Sequence, residues 1–165
     1  ELELVYNKLK ELISHHNIEN TSFDINGQIC REYDCSLFLA ICHIDFDDEL
    51  IDINTDVFKN IIKKFYNFYK NYYIINNKIN IILFGRYKDD KYFDGNPWFI
   101  TSAAFYKVCK KVNNLNFDYE SDYKLFIRFV KSKIKEGLSE QIDKNNGSLL
   151  AAKKLTWNYS ELHDL

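Results

Sequence analysis

Two stretches of this sequence concentrate side chains suited to binding a polar, uncharged ligand. The first runs Gly85-Arg86-Tyr87-Lys88-Asp89-Asp90 and ends in Asp94-Gly95-Asn96-Pro97-Trp98. The second runs Leu138-Ser139-Glu140-Gln141-Ile142-Asp143-Lys144, ends at Gly147 and is followed by Trp157. Arg and Asp make directional hydrogen bonds to hydroxyls, and an indole face covers the apolar C–H face of a pyranose ring. Arg, Asp, Glu, Gln and Trp on irregular segments form the residue set that sugar sites use. Each has a simpler reading by itself: a loop glutamate is a solvated charge, a Trp after Asn-Pro anchors a core, and Arg86 pairs with Asp89 or Asp90.

Hydrophobic periodicity supplies the elements that must carry these segments. Leu2, Val5, Tyr6, Leu9, Leu12 and Ile13 recur at helical spacing and predict a helix over 2–14, with His15-His16 at its end. A short helix over 36–43 follows, entered through Asp34 or Ser36. Asn54 or Thr55 caps the clearest helix, in which Phe58, Ile61, Ile62, Phe65, Phe68, Tyr69 and Tyr72 form a wide apolar stripe running to about Tyr73. Residues 79–84 read as a short strand or a buried extended segment. Asn96 as N-cap with Pro97 at the first helical position predicts a helix to about Val112. Further helices are expected over 119–135 and 150–165, with a polar loop over 137–147 between them.

The 165 residues suffice for one domain. Lys and Arg number 22 against 24 Asp and Glu, a net charge of -2, so the basic surplus that a phosphate backbone requires is missing and nucleic acid is not an expected partner. With 46% hydrophobic and 28% charged residues, the chain has a core to bury and is not disordered. No run approaches the roughly 18 apolar residues of a membrane span. The sequence opens on Glu1-Leu2-Glu3-Leu4, without Met or the apolar stretch of a signal peptide, and reads as a cut through a longer protein. Only 5 Gly and 1 Pro favour long helices over the many tight turns of a β-sandwich. Cys30, Cys35, Cys42 and Cys109 form no CxxC pair and His15-His16 lacks a third ligand, so no metal is expected; a disulfide remains open.

The two stretches, in this order and about fifty residues apart, resemble the glucoamylases, the family 15 glycoside hydrolases. Gly85-Arg86-Tyr87, the acidic Asp89-Asp90 and Gly95-Asn96-Pro97-Trp98-Phe99 are similar to that family's G-R-Y-P-E-D and G-N-P-W-[FY] segments. Leu138-Ser139-Glu140-Gln141, Asp143-Lys144 and Gly147, then Leu155-Thr156-Trp157-Asn158-Tyr159, are similar to its S-E-Q-x-D-[KR]-x-x-G and L-T-W-S-Y segments. A weaker likeness reaches upstream through Phe23-Asp24 and His43-Ile44-Asp45.

The resemblance implies an all-α fold, the C-terminal half of an (α/α)6 barrel of the six-hairpin glycosidase type. Residues 1–165 would be a partial catalytic domain lacking the N-terminal half with the general acid, since the family's D-L-W-E-E segment is absent. The activity it implies is inverting exo-hydrolysis of α-1,4-glucosidic bonds that releases β-D-glucose from starch- or glycogen-like glucans. In this reading Glu140 is the catalytic base, Arg86 binds sugar hydroxyls, Asp90 organises the charges around it, Trp98 and Trp157 wall the pocket and Gln141 contacts a hydroxyl. No cofactor is implied. The partners are α-glucans such as starch, glycogen and maltooligosaccharides, the full-length protein is a monomer, and it is extracellular or vacuolar. The sequons at Asn20, Asn146 and Asn158 suit that route. This stretch alone is expected to be inactive. The alternative is a non-catalytic glucan-binding or regulatory relative, and a retained Glu140 argues against it. Lys88 stands where the family has proline, Asp89 where it has glutamate, and Ile142 where it has an aromatic.

Overall fold

The computed structural model describes residues 31–43 and 52–163, together with Glu3, Leu4 and Asn7 and the backbone of Ser22–Phe23 and Ile29–Cys30. Glu3, Leu4 and Asn7 are helical, whereas the rest of the helix expected over 2–14, the His15-His16 pair, the Asn20 sequon and Ile44-Asp45 lie outside the described residues. An antiparallel pair, β1 (Ser22–Phe23) and β2 (Ile29–Arg31), precedes the first long described segment.

Helix α1 (Ser36–Cys42) starts where the Asp34 carboxylate accepts from the Ser36 N–H at 2.9 Å. It buries Leu37, Phe38 and Ile41. Helix α2 (Asp56–Tyr72) is capped by Thr55, whose hydroxyl accepts from the Phe58 N–H at 3.2 Å, with Asp56 favourably placed against the helix dipole. Its buried face is Phe58, Ile61, Ile62, Phe65, Tyr66 and Tyr69; the predicted stripe supplies five of these, Tyr66 is added, and Phe68 and Tyr72 are only partly buried. The chain breaks at Tyr73 and restarts as α3 (Ile74–Ile79), ended by Asn80 in the left-handed conformation at φ 52°.

Buried Asn76 explains why the chain then folds back. Its Nδ2 donates to the carbonyls of Tyr69 and Leu83, and its Oδ1 accepts from the Leu83 N–H. That side chain pins Ile81–Phe84 as a buried extended segment against the end of α2. Helix α4 (Phe99–Lys111) is buried on nearly all sides, from Phe99 through Tyr106 and again at Val108 and Cys109. An all-round apolar helix must sit in the centre of the molecule. Helix α5 (Tyr119–Lys133) is capped by Asp118 and turns Phe126 and Val130 inward. Aromatic rings join these elements: Phe84 stacks on Phe105 at 3.9 Å between ring centres, Phe38 meets Phe65 and Phe105 edge-on, and Tyr106 stacks on Phe126.

The segment expected as a polar loop contains a small hairpin. Strand β3 (Gln141–Ile142) pairs antiparallel with β4 (Leu149–Leu150). At its tip the Asp143 carboxylate accepts from the Asn145 and Asn146 N–H groups. Helix α6 (Thr156–Leu162) follows and packs on α4. Its start lies later than the expected 150 because Leu149, Leu150 and Ala152 are engaged with β3 and Glu140. Cys35, Cys42 and Cys109 are free thiols.

Candidate active site

The first site segment leaves the core at Gly85. A Cβ there would collide with the Tyr73 hydroxyl, so only glycine fits. The following loop carries Asp89, Phe93, Asp94 and Gly95 in left-handed backbone conformations, a concentration of strain that surrounding bonds must hold in place. Arg86 supplies one: its Nε and Nη2 donate to the two oxygens of Asp90, each at 2.7 Å. Asp90 is 6% exposed, and its Oδ1 also accepts from the Tyr92 N–H. Burial pushes the Asp90 carboxyl up, but the Arg86 guanidinium and the Tyr92 amide outweigh burial and hold it below the ordinary value. The ion pair anticipated as a simple alternative for Arg86 is therefore present. It uses part of the guanidinium fork and leaves other N–H groups for a ligand.

The Arg86 guanidinium also lies 4.7 Å from the Tyr92 ring centre and 5.3 Å from that of Trp98. The Tyr92 hydroxyl in turn reaches Glu140 Oε2 at 3.5 Å. Tyr92 thus bridges the two segments, a role that no spacing revealed; its signal was a pair of exposed aromatics, Tyr92-Phe93, in an otherwise polar loop.

Asn96-Pro97-Trp98 does not open a helix as expected. Trp98 is extended, at φ -120° and ψ 146°, and α4 begins at Phe99. Long-range bonds take precedence over the local capping pattern. Asn96 Nδ2 donates to the Phe93 carbonyl and to Gln141 Oε1, and its Oδ1 accepts from the Lys144 N–H. The Pro97 carbonyl accepts from the Ile142 N–H at 2.9 Å, and Trp98 bridges Phe84 on one side and Gln141 on the other. These bonds form a narrow ribbon joining the Arg86 loop to the Glu140 segment.

Glu140 is half-buried, on backbone fixed from both sides. Its N–H donates to the Ala152 carbonyl at 2.8 Å. Ser139, beside it, is buried with its hydroxyl on the Gln141 carbonyl, while its own carbonyl accepts from Asn158 Nδ2. Gln141 is fully buried, and its Oε1 takes the bond from Asn96. The arrangement holds an ionisable carboxylate at the edge of a surface of Arg86 and Tyr92, with Trp98, only 7% exposed, buried behind them as the simpler core reading of that residue anticipates. Trp157 stands on the next element, 48% exposed, so it is not a core residue. Its Nε1 donates to Glu161 Oε1 at 3.2 Å. Among the described residues, no hydrogen bond or ring contact joins Trp157 to the Arg86 group.

Lys88, the departure from the family proline, has a local reason. Its N–H donates to the Glu32 carbonyl at 2.9 Å, a bond that proline cannot make, and its ammonium pairs with the Glu32 carboxylate. Of the sequons, Asn146 is exposed at the hairpin tip, whereas Asn158 is fully buried and already bonded to Ser139. Among the described residues, no group of three or more His, Cys, Asp or Glu side chains is placed to hold a metal.

No family model matches this chain. In sequence it is 28% identical to Glucoamylase-1 of Schizophyllum commune, over 48% of this chain and 21% of that protein. In structure it superposes on the glucoamylase of Hormoconis resinae with a TM-score of 0.65 and 22% identity, over 93% of this chain and 35% of that one. The chain thus spans about a fifth of the curated relative it matches and about a third of the solved structure. It is glucoamylase-like in sequence over about half its length, and over nearly all of it carries a portion of the (α/α)6 helical fold.

Proposed function

We propose that this chain supplies the general-base half of an inverting glucan 1,4-α-glucosidase, the C-terminal part of a catalytic barrel. The observation that carries the reading is the link Arg86–Tyr92–Glu140, with Asp90 and Trp98 behind it, which unites the two motif-bearing segments on one surface. In the reaction, Glu140 takes a proton from a water that attacks the anomeric carbon from the face opposite the leaving group. The C–O bond to the leaving sugar breaks as a carboxylic acid from outside this sequence protonates the departing oxygen. Inversion requires the two carboxyl groups to stand about 6.5–9.5 Å apart, leaving room for that water.

Arg86 binds hydroxyls of the cleaved glucose through the N–H groups it does not give to Asp90, and the Asp90 charge keeps the fork oriented. Trp157, which is half-exposed, covers C–H faces of the sugars, and Trp98, buried behind Arg86, backs the pocket wall. Gln141, fully buried, serves by holding Asn96 and so the distance between the loops; a hydroxyl contact from it requires the hairpin to shift. The substrates in this reading are starch- or glycogen-like α-glucans, no cofactor takes part, and the intact protein acts as an extracellular or vacuolar monomer.

Replacing Glu140 by Gln in the intact protein removes the base and keeps the shape. Maltooligosaccharide hydrolysis should fall by at least about a thousandfold while binding stays within about threefold, as a group acting only in the transition state requires. Fresh product should be the β-anomer by proton NMR. Binding without turnover in the wild-type protein would favour the glucan-binding alternative.

A further inference from the structure

Glu161 is a carboxylate that the reading above does not use. It lies on α6, 5% exposed. Its Oε2 accepts from Lys107 Nζ of α4 at 3.2 Å, and its Oε1 lies 3.3 Å from His43 Nε2 at the end of α1. The same Oε1 accepts from the indole Nε1 of Trp157 at 3.2 Å. Lys107 is itself largely buried, its side chain 14% exposed. A carboxylate this deep needs a compensating charge, and Lys107 provides it. Lys107 of α4 therefore ties the Glu161 carboxylate to the core, and His43, its side chain 65% exposed, meets Oε1 from the end of α1.

Trp157, one helical turn earlier, is in the opposite situation. It is half-exposed, and no aromatic ring packs on it among the described residues. An indole so lightly covered would turn about its side-chain torsions, and a sugar stacking on it would have to halt that motion. The bond to Glu161 removes that freedom beforehand. Since Glu161 is anchored to the core helix α4, the ring orientation is tied to the scaffold as well as to its own short helix.

We infer that Glu161 is a positioning residue that holds the Trp157 indole in the orientation that receives the glucan, with Lys107 and His43 as its anchors. The inference rests on the reading of Trp157 as a wall of the sugar site. It adds a residue that touches neither substrate nor water.

The test uses the intact protein labelled with 15N-tryptophan, the Trp157 indole resonance being assigned by its loss in Trp157→Phe. Glu161→Gln keeps an acceptor and the side-chain volume, whereas Glu161→Ala removes the acceptor. The alanine variant should shift the Trp157 indole N–H resonance and speed its hydrogen exchange. It should also raise KM for maltooligosaccharides about threefold to tenfold at nearly constant kcat, the factor set by ordering one side chain on binding. The glutamine variant should retain most of the wild-type resonance position and KM. If the alanine variant does not fold, Glu161→Met, which keeps the side-chain volume and removes both acceptor oxygens, takes its place and should shift the resonance and raise KM to a similar extent; an unchanged KM in that variant overturns the inference. An indole resonance unmoved in a folded Glu161→Ala variant likewise overturns it, leaving Glu161 as a tie between helices. A resonance that moves with KM unchanged also overturns the inference, since the tether would then not serve sugar binding; an unchanged KM in Trp157→Ala is the separate result that would remove Trp157 from the sugar site.

Discussion

Asn96 Nδ2 donates to Gln141 Oε1 at 3.1 Å, a bond between buried side chains 45 residues apart. With its further bonds to the Phe93 carbonyl and the Lys144 N–H, Asn96 is the clasp between the Arg86 loop and the Glu140 hairpin.

Asn96→Ala should therefore lower both stability and activity. Several buried polar groups lose their partner together, which costs about 2–3 kcal/mol. The urea midpoint of the intact protein should fall at unchanged slope, and kcat/KM should fall with it. A variant as stable as the wild type would show that the loops are held by other contacts.

Tyr92 separates two effects. Tyr92→Phe keeps the ring beside Arg86 and loses only the long contact to Glu140, so kcat/KM should drop by less than about threefold. Tyr92→Ala also removes the cation–π contact, worth about 0.5–1 kcal/mol at an exposed site, and should cost a further factor of about two to five. Equal losses in both variants would place the effect in the hydroxyl.

Asp90 makes stability depend on pH in an acidic window. Its carboxyl titrates below the ordinary 3.8 in the folded chain, because Arg86 and the Tyr92 amide outweigh burial. The folded form thus keeps its charge to lower pH than the unfolded chain does. The contribution is complete above 3.8 and is lost as pH falls through the lower folded value. Asp90→Asn should be less stable by about 1–2 kcal/mol at neutral pH, Arg86 being partly solvated. In urea titrations at descending pH, the difference should stay flat to about pH 4 and close below it.

Lys88→Pro restores the family residue and should nevertheless destabilise, by about 1 kcal/mol or more, because it deletes the N–H that meets the Glu32 carbonyl. Lys88→Ala should be nearly neutral, since it loses only an exposed ion pair. Thermal unfolding of the two variants distinguishes backbone from side chain, and a stabilised proline variant would refute the bond's importance.

Helix α2 is legible in the sequence except for buried Tyr66, because most of its stripe from Phe58 to Tyr69 and its Thr55 cap are local signals. Ile81–Phe84 was legible as a buried extended segment, though Asn76, which holds it, was not. Asn96-Pro97 misled because its local pattern fits a helix entry, while its actual partners lie at Gln141, Ile142 and Lys144. The hairpin of β3 and β4 has no signature in the sequence, because two-residue strands leave no alternation to detect. Within the candidate site, motif likeness points to Arg86, Asp90, Trp98, Glu140, Gln141 and Trp157; contacts link all of these except Trp157, which bonds to Glu161 instead. Tyr92 and Glu161 have no signature in the sequence because the contacts of Tyr92 with Glu140 and of Glu161 with Lys107 and His43 join separate elements, which no periodicity encodes.

The tight approach of Gly85 to Tyr73 constrains how this molecule can vary. Even a phenylalanine at 73 would leave a ring carbon 3.2 Å from any new methyl group at 85. Random substitution at position 85 should therefore yield functional clones only when residue 73 has also shrunk, so in a mutational library the pair would behave as a single hereditary unit.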